Sequence, residues 1–348
     1  MQQIIYVDNF LTGHGHTPTA GTTLIRQFRE VGYTVIATSY KHNKVARLLD
    51  MVKTIFLYRK NSVVLIATYS TSAFYFACAC AAVCRVFNIS YIPCLHGGNL
   101  PARIQRSPRL SKALFEMSVT NVAVSGYLKE SMAINGWNCV EIPNNIQLDH
   151  YPFRHRINIR PTLFWVRSFH ETYNPTLAIR VLFRLRQMYP AATLTMVGPD
   201  KNDGSLYKCK ALVGELHLDD AVTFTGLMSQ EEWVNLSDSA DIFINTTNFD
   251  NLPVSVIEAM ALGMVVISTK VGGVPFLIED GKTGIMVPPD NERAFVSAIE
   301  KLMNNQLLAA SLSREANKKA EQFDWKNVKL LWENLFNHLE LAAYQRRP

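Results

Sequence analysis

Charged residues and recognisable metal or nucleotide motifs are scarce in this sequence. Asp, Glu, Lys and Arg make up only 18% of the 348 residues, while 48% are hydrophobic, and this balance excludes a disordered protein. The net charge of +6 at pH 7 fits an anionic ligand or a membrane surface, but it is too small and too scattered to indicate nucleic acid. No nucleic-acid motif occurs, so we expect no nucleic-acid partner.

Cysteine is also scarce, and its spacing is not that of a metal site. The six cysteines stand at positions 78, 80, 84, 94, 139 and 209, without paired metal-ligand spacing. Three of them fall in one apolar segment, which predicts buried, reduced thiols. The chain also lacks an Asp-x-Asp motif, so we expect no bound metal.

One stretch, residues 61–84, has no charged residue and is long enough to raise the question of a membrane span. Polar residues at 69–72 divide it into a strand, 62–67, and a helix, 71–87, each too short to cross a bilayer. We therefore expect a buried strand and a buried helix. The first residues, MQQIIYVDNF, lack a basic region followed by an apolar one, which predicts a cytoplasmic protein without a signal peptide.

Predicted strands and helices alternate along the whole chain. Apolar strands at 3–7, 34–38 and 63–67 are each followed by a helical pattern, and the second half repeats this order from residue 162. Such alternation is typical of α/β proteins with parallel sheets covered by helices on both faces. A break begins at Ile142-Pro143-Asn144-Asn145, so we predict a first domain over 1–150, a second over 151–324, and a final helix over 325–345.

The most informative segment, residues 248–291, carries two acidic residues around one helix start. Pro253 stands where a first helical residue is expected. N–H groups at a helix start have no partner within the helix and can bind phosphate, so Leu252, Pro253 and Val254 are candidate anion-binding residues. Asp250 precedes this start and Glu258 lies inside the helix, so both carboxylates can accept hydrogen bonds from sugar hydroxyls beside the phosphate.

A second glycine-opened helix start follows the first. The first helix should stop at Gly263, and a short apolar strand then leads to Gly272 and Gly273. Glycines at the carboxyl end of a strand let backbone approach a ligand, and Pro275 opens another short helix. Each half alone is equally consistent with a surface turn, whereas the two halves in this order suit a sugar nucleotide.

Together the two halves resemble the donor-site signature of retaining GT-B glycosyltransferases of the family-4 type, the glycosyl transferases group 1. That signature is an acid, seven residues, Glu-Ala-Met, a strand, a Gly-Gly loop and a Gly-x-x-x-Pro-Pro ending; here it reads Asp250, Glu258-Ala259-Met260, Gly272-Gly273 and residues 284–289. Asp250 departs from the glutamate more common in that family. The resemblance implies two doubly wound Rossmann-like domains facing across a cleft, with the final helix crossing back to the first domain.

The resemblance also implies an activity. We expect a retaining, metal-independent transfer of a hexose-type sugar from a nucleoside-diphosphate sugar to a hydroxyl of a glycan, lipid-linked or small-molecule acceptor. The nucleotide sugar is a co-substrate, and no other cofactor is expected. The pathway would be one of polysaccharide or lipid-linked oligosaccharide synthesis. The nucleotide base, the sugar, the acceptor, the linkage and the oligomeric state are not indicated by any motif.

By this resemblance, Glu258 would bind the ribose hydroxyls and Asp250 the hydroxyls of the donor sugar. His96, in the segment CLHGGN, would contact the transferred sugar as a hydrogen-bond donor. Gly13 and Gly15 follow the first strand and would lie near the diphosphate or the acceptor, although their spacing is not Gly-x-Gly-x-x-Gly. A structural histidine and a long surface turn are the alternatives at these positions.

Arg167 ends the predicted strand at 163–166 and would neutralise the diphosphate leaving group. The resembled enzymes carry a lysine five or six residues later, where this chain has Thr172 or Tyr173. Losing a cation beside a developing diphosphate charge costs several kcal/mol unless another donor replaces it. The candidates for that replacement are Tyr173, Asn174 and Lys201.

Two further questions stay open at the level of sequence. The basic segment 103–117 fits either a peripheral contact with anionic lipid at the inner face of the membrane or an ordinary solvated helix face. A GT-B sugar-nucleotide epimerase and a non-catalytic sugar-nucleotide-binding protein are the alternatives to a transferase. The epimerase would interconvert donors without an acceptor, and the binding protein would bind them without turnover.

Overall fold

The computed structural model describes residues 3–10 and 20–345, with side chains described up to 339. The chain divides into two compact units, the first formed by residues 1–144 with 332–348 and the second by residues 145–331. The sequence-based boundaries at 150 and 324 remain a prediction about independently folding domains. Each unit contains one parallel six-stranded sheet within the described residues, which confirms the predicted α/β class.

The sheet of the first unit has the strand order β2-β1-β3-β4-β5-β6. Its strands are β1 (Gln3–Val7), β2 (Val35–Thr38), β3 (Ser62–Thr68), β4 (Tyr91–Leu95), β5 (Asn121–Ala123) and β6 (Cys139–Glu141). The helices between them are α1 (Ala20–Glu30), α2 (Lys44–Leu57), α3 (Ala73–Val86), α4 (Leu100–Arg106), α5 (Pro108–Phe115) and α6 (Gly126–Ile134). Every residue of β3 is buried, because a central parallel strand is covered on both faces.

The uncharged stretch forms the buried strand β3 and most of the helix α3, as the polar interruption predicted. The described part of the chain contains no helix that is both long and apolar enough to cross a membrane. The six cysteines are free, and burial raises the pKa of the Cys78 thiol to about 11 and that of Cys84 to about 12. Of the three thiols predicted to be buried, those of Cys80 and Cys84 are buried, that of Cys78 is half-buried, and none forms a disulfide.

The sheet of the second unit has the strand order β12-β11-β10-β7-β8-β9. Its strands are β7 (Thr162–Val166), β8 (Thr193–Val197), β9 (Val222–Gly226), β10 (Ile242–Asn245), β11 (Val265–Thr269) and β12 (Ile285–Val287). Its helices are α7 (Pro175–Arg186), α8 (Ser205–Glu215), α9 (Gln230–Leu236), α10 (Val254–Ala261), α11 (Val274–Leu277), α12 (Glu292–Met303) and α13 (Gln306–Ala320). Ser229 and Glu232 form the predicted capping box of α9.

Strand order reverses next to β7, since β7 lies between β10 and β8. In open parallel sheets the ligand crevice lies beyond the carboxyl ends of the strands at such a switch point. Arg167 directly follows β7, and the loop after β10 contains Asp250. The topology of the second unit alone therefore brings two predicted site residues to the expected crevice.

The last helix, α14 (Trp325–Gln345), contributes its later part to the first unit. The Trp332 and Phe336 rings lie 5.4 and 5.7 Å from the ring of Phe28 in α1. Phe336 also contacts Tyr33 at 5.3 Å between ring centres. The expectation that the final helix packs on the first domain is met by this aromatic cluster.

Candidate functional site

Arg167 and Asp250 form an ion pair at the switch point of the second sheet. The strands that precede them, β7 and β10, are hydrogen-bonded neighbours, so residues 83 positions apart in the chain meet at one sheet edge. Asp250 Oδ1 accepts from the N–H of Asn251 at 2.8 Å, and Oδ2 accepts from Arg167. Each carboxylate oxygen has a second lone pair, so Asp250 can still accept a hydrogen bond from a ligand hydroxyl.

The guanidinium of Arg167 is held on a second side by Tyr173. The guanidinium carbon lies 4.9 Å from the centre of the Tyr173 ring, a cation–π contact. Arg167 Nε is buried, and the structure gives it no acceptor within the described residues. A largely buried cation with an unused N–H is suited to bind an anion.

Glu258 lies on α10 and receives a hydrogen bond from Tyr151. The Tyr151 hydroxyl donates to Glu258 Oε1 at 2.5 Å, over a separation of 107 residues. Burial raises the pKa of Glu258 above its ordinary value, while the Tyr151 hydroxyl and the positive charge of Arg167 oppose that rise. Since Arg167 acts on both acids, Asp250 and Glu258 share one electrostatic environment.

The start of α10 offers unused N–H groups. Pro253 is the N-cap, with φ −69° and ψ 107°, and not the first helical residue as predicted; the helix begins one residue later. In the described chain the N–H groups of Val254 and Ser255 meet no acceptor, and Ser255 Oγ is buried without a partner. The predicted end of this helix is confirmed, because Gly263 follows it at φ +74°.

Gly272 and Gly273, in the loop after β11, pack against the backbone of the loop after β10, a contact that the sequence did not indicate. A Cβ on Gly272 would lie 2.0 Å from the Asp250 carbonyl oxygen, and one on Gly273 would lie 1.7 Å from the Asn251 carbonyl oxygen. The glycines therefore allow one loop to pack on the other. The Gly273 N–H donates to the Asp250 carbonyl oxygen at 3.0 Å, so in this conformation it is not free to bind a phosphate.

The three candidates to replace the missing lysine differ in what their side chains contact. Tyr173 contacts Arg167, as described above. Asn174 is directed elsewhere, because its Nδ2 donates to Asp290 Oδ1 at 3.2 Å and to Asn248 Oδ1 at 3.4 Å. Lys201 is half-buried, and its side chain makes no ion pair with any described residue. Leu252, expected to bind through its backbone, has a buried side chain.

His96 belongs to a separate cluster in the first unit. It follows β4, its N–H donates to the Thr68 carbonyl oxygen at 3.0 Å, and its ring lies 5.8 Å from that of Tyr69. Burial lowers the pKa of His96 to about 4, so the ring is neutral at pH 7, and Nε2 has no partner among the described residues. A neutral ring with a free Nε2 fits a hydrogen-bonding role, which stays a prediction. Gly13 and Gly15 lie outside the described residues.

Three residues that contact the candidate site residues or their neighbours, Tyr151, Asp8 and Gly198, were not indicated by the sequence. Tyr151 stands in the segment read as a linker, and nothing local links it to Glu258. Asp8 follows β1 and accepts from the Tyr69 hydroxyl at 3.1 Å, which the position of both residues at strand ends could have suggested. A Cβ on Gly198 would lie 1.8 Å from the Arg167 carbonyl oxygen. Glycine at this position therefore allows the loop after β8 to pack against the loop after β7. In the described residues no group of three or more His, Cys, Asp or Glu is arranged to hold a metal ion.

The second unit of the chain matches a family of known proteins. Residues 150–320 match the family model described as glycosyl transferases group 1. The chain is 27% identical over 129 residues to the putative colanic acid biosynthesis glycosyltransferase WcaL of Salmonella typhimurium, covering 35% of this chain and 32% of that protein. It is 24% identical over 203 residues to a D-inositol 3-phosphate glycosyltransferase of Corynebacterium jeikeium, covering 57% of this chain and 47% of that protein. The matches thus span about half or less of these relatives.

Solved structures match over nearly the whole chain. Sucrose-phosphate synthase of Thermosynechococcus elongatus aligns with a TM-score of 0.80 at 16% identity, covering 98% of this chain and all of the other. HepE of Anabaena, solved in complex with UDP-glucose, aligns with a TM-score of 0.77 at 15% identity, covering 97% and 100%. At such low identity these likenesses show the fold, which is GT-B.

Proposed function

Because this chain belongs to the glycosyl transferases group 1 family through residues 150–320, we propose that it is a retaining, metal-independent glycosyltransferase. It would move a hexose-type sugar from a nucleoside-diphosphate sugar to a hydroxyl of a glycan, lipid-linked or small-molecule acceptor. The observation that carries the proposal is the meeting of Arg167, Asp250 and Glu258 at the switch point of the second sheet, beside the unused N–H groups at the start of α10.

The leaving diphosphate would be stabilised by protein donors. Arg167 supplies a positive charge and a free Nε, and the N–H groups of Val254 and Ser255 supply the partial positive charge of a helix start. Asp250 already neutralises part of the Arg167 charge, so a bound diphosphate shares Arg167 with Asp250 or displaces it. The Tyr173 ring packs against the face of the guanidinium and helps to hold Arg167 in place, while it supplies no positive charge in place of the missing lysine.

The two acids would orient the two ends of the donor. Burial raises the pKa of Glu258, and the Tyr151 hydroxyl and the Arg167 charge oppose that rise and favour the carboxylate. The carboxylate accepts hydrogen bonds from the ribose hydroxyls. Asp250 accepts hydrogen bonds from hydroxyls of the transferred sugar, and the contact of His96 with that sugar stays the expectation from the family resemblance. No residue is assigned as a nucleophile, because retention by attack on the face of departure needs none.

The neighbours guide the choice of donor and partner. HepE was solved with UDP and with UDP-glucose, so UDP sugars are the first donors to test.

The proposed membrane contact of segment 103–117 would use the exposed Arg106, Arg109 and Lys112. Arg103 would not take part, because its Nε donates to the Ser70 carbonyl oxygen at 2.8 Å and its guanidinium lies over the rings of Phe74 and Tyr75. A cytoplasmic location at the inner face of the membrane accompanies this proposal.

The decisive experiment measures transfer or donor hydrolysis from radiolabelled UDP, GDP and ADP sugars, with a lipid extract as the source of acceptor. Replacing Arg167 by Ala should lower kcat/KM by about 100-fold or more, since a charge donor aimed at the leaving group is lost. Glu258→Ala should weaken donor binding. Arg186→Ala is the matched control, because Arg186 pairs with Asp220 on the surface of the same unit.

Retention is checked by the anomeric configuration of the product in nuclear magnetic resonance spectra, and metal independence by full activity in a chelator.

Three further outcomes separate the alternatives. Interconversion of free sugar nucleotides without an acceptor would identify an epimerase. Calorimetric binding without turnover on any acceptor would leave a binding protein, and full activity of both site variants would refute the site.

A further inference from the structure

The charge of this chain is concentrated in one segment of the first unit. Residues 31–115 contain eleven Lys or Arg residues and a single acidic residue, Asp50, although the whole chain carries only +6. Asp50 accepts a hydrogen bond from Thr38 Oγ1 at 3.2 Å. The segment is therefore strongly cationic, and the rest of the chain has a net negative charge.

The helices of this segment lie in one layer. The connections β2-α2-β3 and β3-α3-β4, and the connection from β4 through α5 to β5, all advance in the same direction across the sheet. Since crossovers between parallel strands are right-handed, α2, α3 and α5 cover the same face of the sheet. Buried residues of these helices, such as Met51, Phe74 and Leu114, share one core cluster with β1 and β3. The opposite sides of the helices point away from the sheet.

Those outward sides carry large apolar residues at helical spacing. On α2, Val45 is 68% exposed, Leu49 is 64% exposed and Phe56 is 41% exposed, and the three share one stripe of the helix. Just beyond them, at the end of α3, Val86 is 77% exposed and is followed by the exposed Phe87. The rings of Phe56 and Phe87 touch, with 5.1 Å between their centres. These five residues form one apolar surface, which we name the α2–α3 face.

Lys and Arg side chains that make no ion pair with a described acid stand around this face. Around it stand the exposed residues Lys44, Lys53, Lys60 and Arg85, and Arg59, whose guanidinium carbon lies 4.2 Å above the Phe56 ring. Within the described residues none of these five side chains makes an ion pair with an acid. A folded surface that combines exposed aromatic and aliphatic side chains with Lys and Arg outside ion pairs is suited to bind a lipid bilayer, which has an apolar interior and can have anionic headgroups.

We propose that the α2–α3 face docks the protein onto a bilayer that contains anionic lipid. Val45, Leu49 and Val86 enter the boundary between headgroups and acyl chains, while the surrounding Lys and Arg side chains bind the headgroups. A second copy of this chain is a poor occupant, because a two-fold interface would place these cationic rims against each other. This face is distinct from segment 103–117, and it does not depend on the proposed activity.

The test is co-sedimentation of the full chain with vesicles of phosphatidylcholine alone and of phosphatidylcholine mixed with phosphatidylglycerol. We expect binding to the mixed vesicles only, weakened by salt because the headgroup contacts are screened. Leu49→Glu and Val86→Glu should each reduce the partition coefficient by about tenfold or more, because a carboxylate replaces an inserted apolar side chain beside anionic lipid. Lys44→Glu should reduce it by at least about fivefold.

Matched controls make the result specific. Leu307 is 86% exposed on α13 in the second unit, so Leu307→Glu introduces the same charge change at an equally open site and should not alter binding. Arg109→Glu reports on segment 103–117 and should have a smaller effect than Leu49→Glu. All variants should keep the circular-dichroism spectrum and the unfolding transition of the parent, which shows that both units fold.

Two results would overturn the proposal. One is equal binding of the parent, Leu49→Glu and Val86→Glu to the mixed vesicles. The other is a parent that forms dimers in light scattering and loses them in these variants without binding vesicles, which would assign the face to a second copy. Loss of vesicle binding in Arg109→Glu alone would place the contact in segment 103–117 instead.

Discussion

At the scale of single residues, the ionisation of Glu258 depends on opposing neighbours. Burial disfavours the carboxylate and raises its pKa, while the Tyr151 hydroxyl and the charge of Arg167 favour it. A carboxylate that accepts ribose hydroxyls must be ionised to bind them best. Tyr151 is therefore a positioning residue whose removal should change the pH dependence of binding.

We expect Tyr151→Phe to move the pH midpoint of nucleotide binding upward. Losing the hydroxyl removes a hydrogen bond that lowers the pKa of Glu258, so the carboxylate forms only at a higher pH. Calorimetric titration with UDP over about pH 5 to 8 checks this, because ordinary carboxyl pKa values lie below that range. Tyr207→Phe, at an exposed position of α8, is the control. An unchanged or lower midpoint would contradict the assignment.

His96 should make the stability of the first unit sensitive to acid. Burial lowers its pKa from 6.5 to about 4, so between these values the unfolded chain binds a proton that the folded chain excludes. The free energy of unfolding should fall as the pH drops through this window, by an amount on the order of 3 kcal/mol. Denaturant titrations at several pH values should show that His96→Asn loses this slope, whereas the exposed control His217→Asn keeps it. Parallel slopes in the two variants would argue against a buried neutral ring.

At the scale of elements, the site depends on close contact between loops that follow neighbouring strands. The loop after β11 rests on the loop after β10 through Gly272 and Gly273, and the Gly273 N–H bonds to the Asp250 carbonyl oxygen. The helix α10 is also held at its far end, where the buried Arg156 bonds to the carbonyl oxygen of Leu262. Burial lowers the pKa of that guanidinium to about 10. Backbone packing thus positions Asp250 and Glu258 before any ligand is bound.

We expect Gly273→Ala to lower the free energy of unfolding by about 3 kcal/mol or more, since the added Cβ meets a backbone oxygen and strain must spread into both loops. Equilibrium denaturation measures the change. Gly214→Ala is the matched control: it lies inside α8, with no atom near its added Cβ, and should stabilise by about 0.5–1 kcal/mol. Equal effects of the two substitutions would show that the loops can separate without cost.

At the scale of the whole molecule, each compact unit has its own sheet and its own buried cluster. The first unit is completed by the end of the chain, because Trp332 and Phe336 of α14 cover Phe28. Residues more than 300 positions apart therefore share one aromatic cluster. Such contacts contribute apolar burial and favourable ring geometry together.

We expect Phe336→Ala to destabilise the first unit by about 3–5 kcal/mol, the usual cost of truncating a buried aromatic residue. Calorimetry should show a lower unfolding temperature for the first unit. A nucleotide at about 100 times its Kd should still stabilise the second unit, by roughly 2.7 kcal/mol. Leu330→Ala, at an exposed position of the same helix, is the control. If the aromatic cluster does not stabilise the first unit, Phe336→Ala and Leu330→Ala will unfold at the same temperature.

Much of the architecture could be predicted, because the signals are local. The helix after Asp250 was placed within one residue at each end from Pro253 and Gly263. The buried strand and helix of the uncharged stretch were likewise placed by four polar residues. Segment 103–117 was treated as one unit, whereas Ser107 and Pro108 divide it into α4 and α5. Helix boundaries follow the residues that end and begin helices; here Ser107 caps the end of α4 and Pro108 begins α5.

The sequence by itself indicated the fold class, the resemblance to glycosyl transferases group 1 and the candidate site residues Arg167, Asp250 and Glu258, because periodicity, capping residues and motif spacing act over short stretches of chain. Only the tertiary structure decided that Arg167 pairs with Asp250, that Tyr151 bonds to Glu258, and that Gly273 packs against backbone rather than offering its N–H to phosphate. Charge interactions and steric contact depend on distance in space, and these partners are distant in sequence and are brought together only by the fold.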